Sequence, residues 1–441
     1  MKSIIFSIFL TLVFCFSHHS IASAEEMNDE KDWSHHFQTT TVTQTHFKFN
    51  APYSGENSLK NTFEKPTSLT ATIYVGHRLW SNAFIFVNPE EQMGEGLSLS
   101  RGIAAYPNGE IYRVDSPKPA INLSRFYIQQ DFELGGEKEK VEDDINQFER
   151  LRDVNHLTFV LGKFSLNDYL DDNSYSHDPR SQFLNWTLMD IGAWDYAADT
   201  RGYTWGLMTE YHLPKWSIRF AVVEVPLSAN GLEMDGNITQ ANAENLEIEY
   251  RYHLDSHPGK IRTLFFMNHA HMGNYREAIS LALSQGTLPD ITQTRSYSLK
   301  YGVGLNVEQE ITNELGVFTR LGWNDGKTET WAFTEIDQSL SLGLSLKGNS
   351  WHRTDDVAGL ALNIDGLSQD HQDYLKAGGL GFIIGDRHLN YAPEEVLEAY
   401  YLYKIIKSAS LTLDIQAVNH PAFNSDRGPV ALYGLRMHYE I

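Results

Sequence analysis

Apolar residues recur at every second position along most of this chain, in segments of roughly ten residues. That period belongs to a β-strand with one apolar and one wet face. In the segment 246–254, Leu246, Ile248, Tyr250, Tyr252 and Leu254 share one face, and Glu247, Glu249, Arg251 and His253 share the other. Four charged or titratable side chains in a row need water, so the second face is not a dry sandwich core. An edge strand of a soluble sheet could imitate one such segment. Recurrence favours a barrel with a wet lumen. Phe126, Ile128, Phe132 and Leu134 oppose Arg125, Gln129, Asp131 and Glu133; Leu340, Leu342, Leu344 and Leu346 oppose Ser339, Ser341, Gly343 and Ser345. Leu411, Leu413 and Ile415 oppose Ser410, Thr412 and Asp414. The last twelve residues put Tyr433, Leu435, Met437, Tyr439 and Ile441 on one face and Gly434, Arg436, His438 and Glu440 on the other. A half-apolar strand at the C-terminus suits the closing stave of a transmembrane barrel.

Further alternating segments run through 39–49, 69–76, 79–87, 97–104, 156–163, 203–212, 216–225, 261–270, 294–305, 315–323, 357–364 and 396–405. The total is 17 candidates. Bacterial barrels favour even strand numbers, so 16 strands are expected, with one candidate a loop, a plug or half of a split strand. The fold class is therefore all-β: a transmembrane antiparallel β-barrel. Short connections fall at Leu213-Pro-Lys215, His257-Pro-Gly259 and Asn313-Glu314. Long polar stretches at 135–154, 164–202, 226–243 and 271–293 are expected as extracellular or infolded loops. Trp205, Tyr211, Trp216, Tyr250, Tyr252, Tyr401 and Tyr403 cluster near strand ends, as interfacial girdles do.

Composition sharpens this picture at the N-terminus. Lys2, the apolar run Ile4–Phe16 and Ala22-Ser-Ala24 form an export signal over 1–24, too short to span a membrane as a helix. Residues 25–38 are an acidic, polar lead-in, and 39–441 are expected to form one barrel domain. The single cysteine, Cys15, lies in the signal, so the exported chain has no disulfide. With 35 basic and 57 acidic residues the formal net charge is −22, which excludes nucleic acid as a partner and argues against docking on anionic lipid through a basic patch.

No G-x-S-x-G, H-E-x-x-H or phosphate-binding glycine motif occurs, so no enzyme activity, cofactor or metal is expected. His269 and His271 lie two apart on a strand and could both face the lumen, where lumen-facing polarity is the plain reading and metal ligation the sharper one. The richest stretch follows the strand at 156–163: Asn173, Tyr175, His177, Asp178, Arg180, Asn185 and Trp186 crowd into 14 positions. Planar hydrogen-bonding groups beside aromatic rings suit sugars; a self-bonded Ω-loop is the alternative.

Several segments resemble the carbohydrate-selective porin family, the OprB-type outer-membrane channels. They are Leu79-Trp80 with Asn88-Pro89-Glu90, Arg101-Gly-Ile-Ala-Ala-Tyr-Pro-Asn-Gly-Glu110, Gly162-Lys-Phe164, the stretch 173–180 ending in His177-Asp-Pro-Arg180, and Phe183-Leu-Asn-Trp186. Asp195-Tyr-Ala-Ala-Asp199, Pro258-Gly-Lys260, Met272-Gly273, the glycine-rich run 378–386, Glu398-Ala-Tyr-Tyr401 and Asn424-Ser-Asp-Arg-Gly-Pro429 follow in family order. The resemblance implies a 16-stranded barrel in the bacterial outer membrane that can trimerise. It implies passive diffusion of small, glucose-like sugars and a lumen narrowed by infolded loops. By position it assigns the constriction to Glu90, Arg101, Glu110, Asp178, Arg180, Trp186 and Arg427. Trp186 is expected to supply a stacking face. Two departures stand out: the chain ends on Ile441 where the family usually closes on phenylalanine, and His269 and His271 stand where arginines are usual. A general or cation-preferring porin without a sugar site is the competing reading, favoured by the acidic balance.

Overall fold

The computed structural model describes residues 31–111 and 117–441. The chain divides into Met1–Asp32 and Trp33–Ile441, and the second unit carries the fold. The export signal at 1–24 and most of the lead-in lie outside the described residues. The lead-in is shorter than expected, because β1 already begins at Trp33.

The first strands are β1 (Trp33–His46), β2 (Thr67–Trp80), β3 (Ala83–Gly94) and β4 (Ala120–Glu133). A small hairpin of β5 (Lys138–Val141) and β6 (Arg150–Asp153) follows. Next come β7 (His156–Phe164), β8 (Thr204–His212), β9 (Trp216–Val223), β10 (Asn242–Leu254) and β11 (His257–Met272). The chain continues through β12 (Ser296–Glu310), β13 (Leu315–Asn324), β14 (Gln338–Gly348) and β15 (Arg353–Gly366). It ends with β16 (Glu394–Ile406), β17 (Ala409–Asn419) and β18 (Val430–Glu440). All but β5 and β6 form one closed antiparallel barrel, so the strand number is 16. Closure comes from β1 against β18, registered from Gln38 with Glu440 to His46 with Leu432. Ile441 completes the seam by exchanging backbone hydrogen bonds with Phe37 at 2.9 and 3.0 Å. Closure leaves no open sheet edge, which the bilayer demands.

The surplus candidate was 97–104. It folds as a 3₁₀ turn and loop, whose Leu97 and Ile103 pack with Leu59, Val418 and Leu432 instead of joining the ladder. The candidate 79–87 straddles a turn at Ser81–Asn82, where Asn82 takes a positive φ that asparagine tolerates. The tight connection after β10 is Asp255–Ser256, just ahead of His257-Pro-Gly259. The segment 135–154 sits at the short-turn end of the barrel, opposite the other long loops, because β4 and β7 are adjacent staves.

The outward stripe is apolar: Phe220, Phe265, Leu342, Leu413 and Leu435 are exposed side chains in the middle of their strands. Rings flank this band in two girdles. Trp33, Trp80, Tyr211, Trp216, Tyr403 and Tyr439 lie at the short-turn end, and Trp205, Tyr297, Tyr301, Trp323 and Tyr433 at the long-loop end. Among the described residues no helix is long and apolar enough to cross a membrane. The short helices α1 (Trp186–Met189), α2 (Tyr275–Gln285) and α3 (Gln369–Lys376) belong to the long loops. His269 and His271 share the outward stripe of β11 with Phe265 and Met267, so they do not face the lumen. The spacing was right and the face was wrong.

Candidate functional site

The lumen is not empty. The connection 165–203 between β7 and β8 turns inward, and the wall holds it there. A loop inside a barrel must satisfy its own backbone groups, since each buried N–H or carbonyl left unpaired costs about 1–3 kcal/mol. Lumen-facing charges on the strands do this. Glu247 on β10 accepts from the N–H of Asp171 at 2.7 Å, and Glu308 on β12 accepts from the N–H and hydroxyl of Ser174 at 2.9 and 2.8 Å. Glu398 on β16 accepts from the N–H groups of Leu184 and Asn185 at 2.5 and 3.0 Å. From β13, Arg320 donates to the carbonyls of Leu188 and Ser176 at 2.8 and 2.7 Å and lies 3.0 Å from Asp171 Oδ2. From β18, Arg436 donates to the carbonyls of Pro179 and Gln182 at 2.5 and 2.8 Å. Such charge-assisted bonds are about twice as strong as neutral ones. Shape helps as well. Gly304 and Gly322 are paired across β12 and β13, and a Cβ there would come within 2.4 and 2.7 Å of the Ile191 side chain.

Between this loop and the β5–β6 hairpin lies a cavity of about 700 Å³. That is within the roughly 300–1,000 Å³ usual for small-molecule sites. Asp178, Arg180 and Trp186 line it, together with Arg125, Tyr127 and Asp168. Arg180 sits between two acids: its Nε is 3.1 Å from Glu110 Oε2 and its Nη1 4.0 Å from Asp178 Oδ1. Opposite, Arg125 makes a two-pronged bond to Asp168 at 2.6 and 2.7 Å. Burial pushes the Glu110 carboxyl above its ordinary range, with Arg180 opposing. For Asp178, burial pushes upward too, but the Arg180 guanidinium and the Ser181 hydroxyl hold the carboxylate below its ordinary range.

Of the seven residues assigned by position, the fold brings Asp178, Arg180 and Trp186 to the cavity wall and Glu110 directly behind Arg180. Glu90 is buried on β3, where it accepts from Thr72, Gln92 and the Tyr203 hydroxyl. It braces the wall. Arg101 lies in the β3–β4 loop, beside Gly102, whose N–H donates to Ile383. Arg427 is buried at the long-loop end and donates to the carbonyls of Tyr53 and Leu59. Neither lines the cavity. Trp186 departs from its expected role: only 2% of it is exposed, and its ring already stacks on Phe333 at 4.5 Å. It closes the wall instead of offering an open stacking face. Of the clamping residues, Glu247 and Arg436 stand in the sequence only as charges on the polar face of their strands, Glu398 only within the family resemblance, and nothing there singles out Glu308 or Arg320. Nothing in a strand's own sequence says which loop it will hold.

The far wall of the cavity comes from 135–154, one of the stretches expected as an extracellular or infolded loop. The hairpin folds back into the barrel from the short-turn end, and Asn146, Arg150 and Arg152 face the cavity. Phe148 stacks on Phe84 at 4.8 Å, Arg150 pairs with Asp131 at 2.5 Å, and Ser34 donates to Asp143 at 2.9 Å.

Comparison with known proteins agrees with this architecture. The high-pH structure of Pseudomonas putida OprB is similar with a TM-score of 0.69 at 16% identity, covering 93% of this chain and 94% of that one. Its low-pH structure gives 0.50 at 13% identity, over 93% of each chain. The outer membrane channel DcaP of Acinetobacter baumannii gives 0.51 at 8% identity, over 96% of this chain and all of that one. At these identities the likeness concerns the fold. No curated protein matches the chain in sequence. The model of the carbohydrate-selective porins does match, over residues 74–440, nearly the whole barrel, so the chain is an outer-membrane channel belonging to the carbohydrate-selective porin, OprB family.

Proposed function

We propose that the cavity between the infolded loop and the hairpin is the sugar-selective passage of this porin. Monosaccharides and small oligosaccharides of the glucose type would cross it by passive diffusion. One observation carries the reading: Arg180 held between Glu110 and Asp178 on the wall of a cavity of about 700 Å³. A sugar hydroxyl both donates and accepts, so it can enter such a pair and bond to either partner. Because the charges already pair with one another, each exchange yields only about 0.5–1.5 kcal/mol, weak enough for release. In this reading Arg180 and Arg125 donate, Asp178 and Asp168 accept, and Trp186 shapes the wall.

The long loops are proposed to face outward and the short turns inward, with residues 1–24 removed on export; Glu25 as the first residue of the outer-membrane protein would test the cleavage. Trimerisation is a separate proposal resting on the family resemblance, tested by cross-linking in detergent. For the passage itself the test is single-channel conductance in a planar bilayer with glucose and maltose added. Saturable closure by sugar is expected. Steady channels indifferent to sugar would favour a general or cation-preferring pore.

A further inference from the structure

On the wall of the same lumen, β7 and β8 assemble a cluster at the edge of the proposed passage, whose cavity Glu210 helps to line. Their register places His156 directly opposite His212, and Glu210, two residues before His212, shares its face. The imidazoles stack with centroids 4.7 Å apart and planes 12° from parallel. One donor atom from each of the three residues lies within 4.8 Å of the other two. Among the described residues this is the one such group of three.

The hydrogen bonds around it suit a metal. His156 Nδ1 lies 3.0 Å from the carbonyls of Asp153 and Val154. Carbonyls only accept, so Nδ1 carries the proton and Nε2 keeps its lone pair. Backbone partners of this kind are what orient a ligating histidine. Glu210 divides its oxygens. Oε2 accepts from Arg219 Nε at 2.5 Å, while Oε1 lies 3.1 Å from His212 Nδ1 and 3.9 Å from His156 Nε2. The last gap is too long for a hydrogen bond. Two donors on a tetrahedral ion with bonds of ~2.0–2.1 Å stand about 3.3 Å apart, so a small side-chain shift closes it.

The neighbouring charges bear on affinity. Arg219 is shared with Glu247 and Glu249 at 2.7 and 3.3 Å, so it does not cancel Glu210 alone. Arg152, the hairpin cation at this wall, pairs with Glu139 at 2.6 Å. Ser217 Oγ, 2.9 Å from His212 Nδ1, is placed to bond a metal-bound water.

We propose that His156, Glu210 and His212 bind a borderline divalent cation of the Zn²⁺ class in the lumen, with a coordination position left for water. Two imidazoles and one carboxylate suit such an ion, whereas Mg²⁺ and Ca²⁺ want an oxygen shell. The site joins two adjacent staves and adds positive charge beside the passage.

The test is calorimetric titration of the untagged, chelator-treated barrel in detergent with ZnCl₂, and separately with MgCl₂. One Zn²⁺ per chain and no Mg²⁺ is expected. His156→Gln and His212→Gln should each weaken Zn²⁺ binding at least ~tenfold while the protein still migrates as a heat-modifiable barrel. Absence of Zn²⁺ binding to the wild type, or unchanged affinity in both variants, would overturn the assignment. Should the variants not fold, X-ray absorption of the Zn²⁺-loaded wild type decides: two nitrogen neighbours support the site, and an oxygen-only shell refutes it.

Discussion

Arg320→Met asks whether lumen charges hold the constriction in place. Methionine keeps much of the volume and removes every donor. Arg320 is about 1% exposed and contacts Asp171, itself fully buried, at 3.0 Å. It also holds the carbonyls of Leu188 and Ser176. Asp171 keeps the N–H of Ile191 at 2.8 Å and the amide of Asn306 at 2.5 Å, but loses its countercharge. Beside it, burial and then the Asp171 carboxylate already push Asp190 well above its ordinary range, so a second uncompensated acid is poorly tolerated. Breaking a buried pair by deleting one partner costs about 3–5 kcal/mol. Spent on the equilibrium between infolded and released loop, that is a shift of roughly a hundredfold to a few thousandfold. The barrel itself should survive, because its ladder does not depend on this side chain. Single-channel recording should show larger or flickering conductance with sugar block lost. Trypsin should cut at Arg180 in the variant and spare the wild type. A variant with wild-type conductance, sugar block and protease resistance would refute the clamp argument.

Three other outcomes can be checked in the same bilayer. Asp178→Asn or Arg180→Ala should weaken glucose block about fivefold, from the loss of about 1 kcal/mol of partly exposed charged hydrogen bonding, with the folded barrel retained. Replacing residues 136–153 by a short Asn-Gly turn should raise conductance by removing the hairpin wall; unchanged current would show that the hairpin does not obstruct ion flow. Acidification should spare the constriction until about pH 4 and open it below, read from conductance against pH. The sign follows from Asp178. Its carboxylate is held below the ordinary range, so its contribution is present above the unfolded value and lost as pH falls through the lowered folded value. Opening that begins at pH 6 would point to histidine instead.

Much of the barrel was legible in the sequence. Period-two alternation needs only neighbouring residues, and it determined which side chains of 246–254 meet lipid and which meet the lumen. The terminal strand predicted closure, and β18 closes the barrel against β1. Errors arose where alternation is ambiguous: Leu97 and Ile103 mimic a strand while filling a loop core, and the face of His269 and His271 was read the wrong way round. Only the tertiary structure decided what occupies the lumen. The clamps join residues as far apart in sequence as Arg436 and Pro179, and the cluster on β7 and β8 exists only through their register. Short-range pattern encodes burial, whereas partnership across a barrel is set by closure and register, which no local stretch of chain contains.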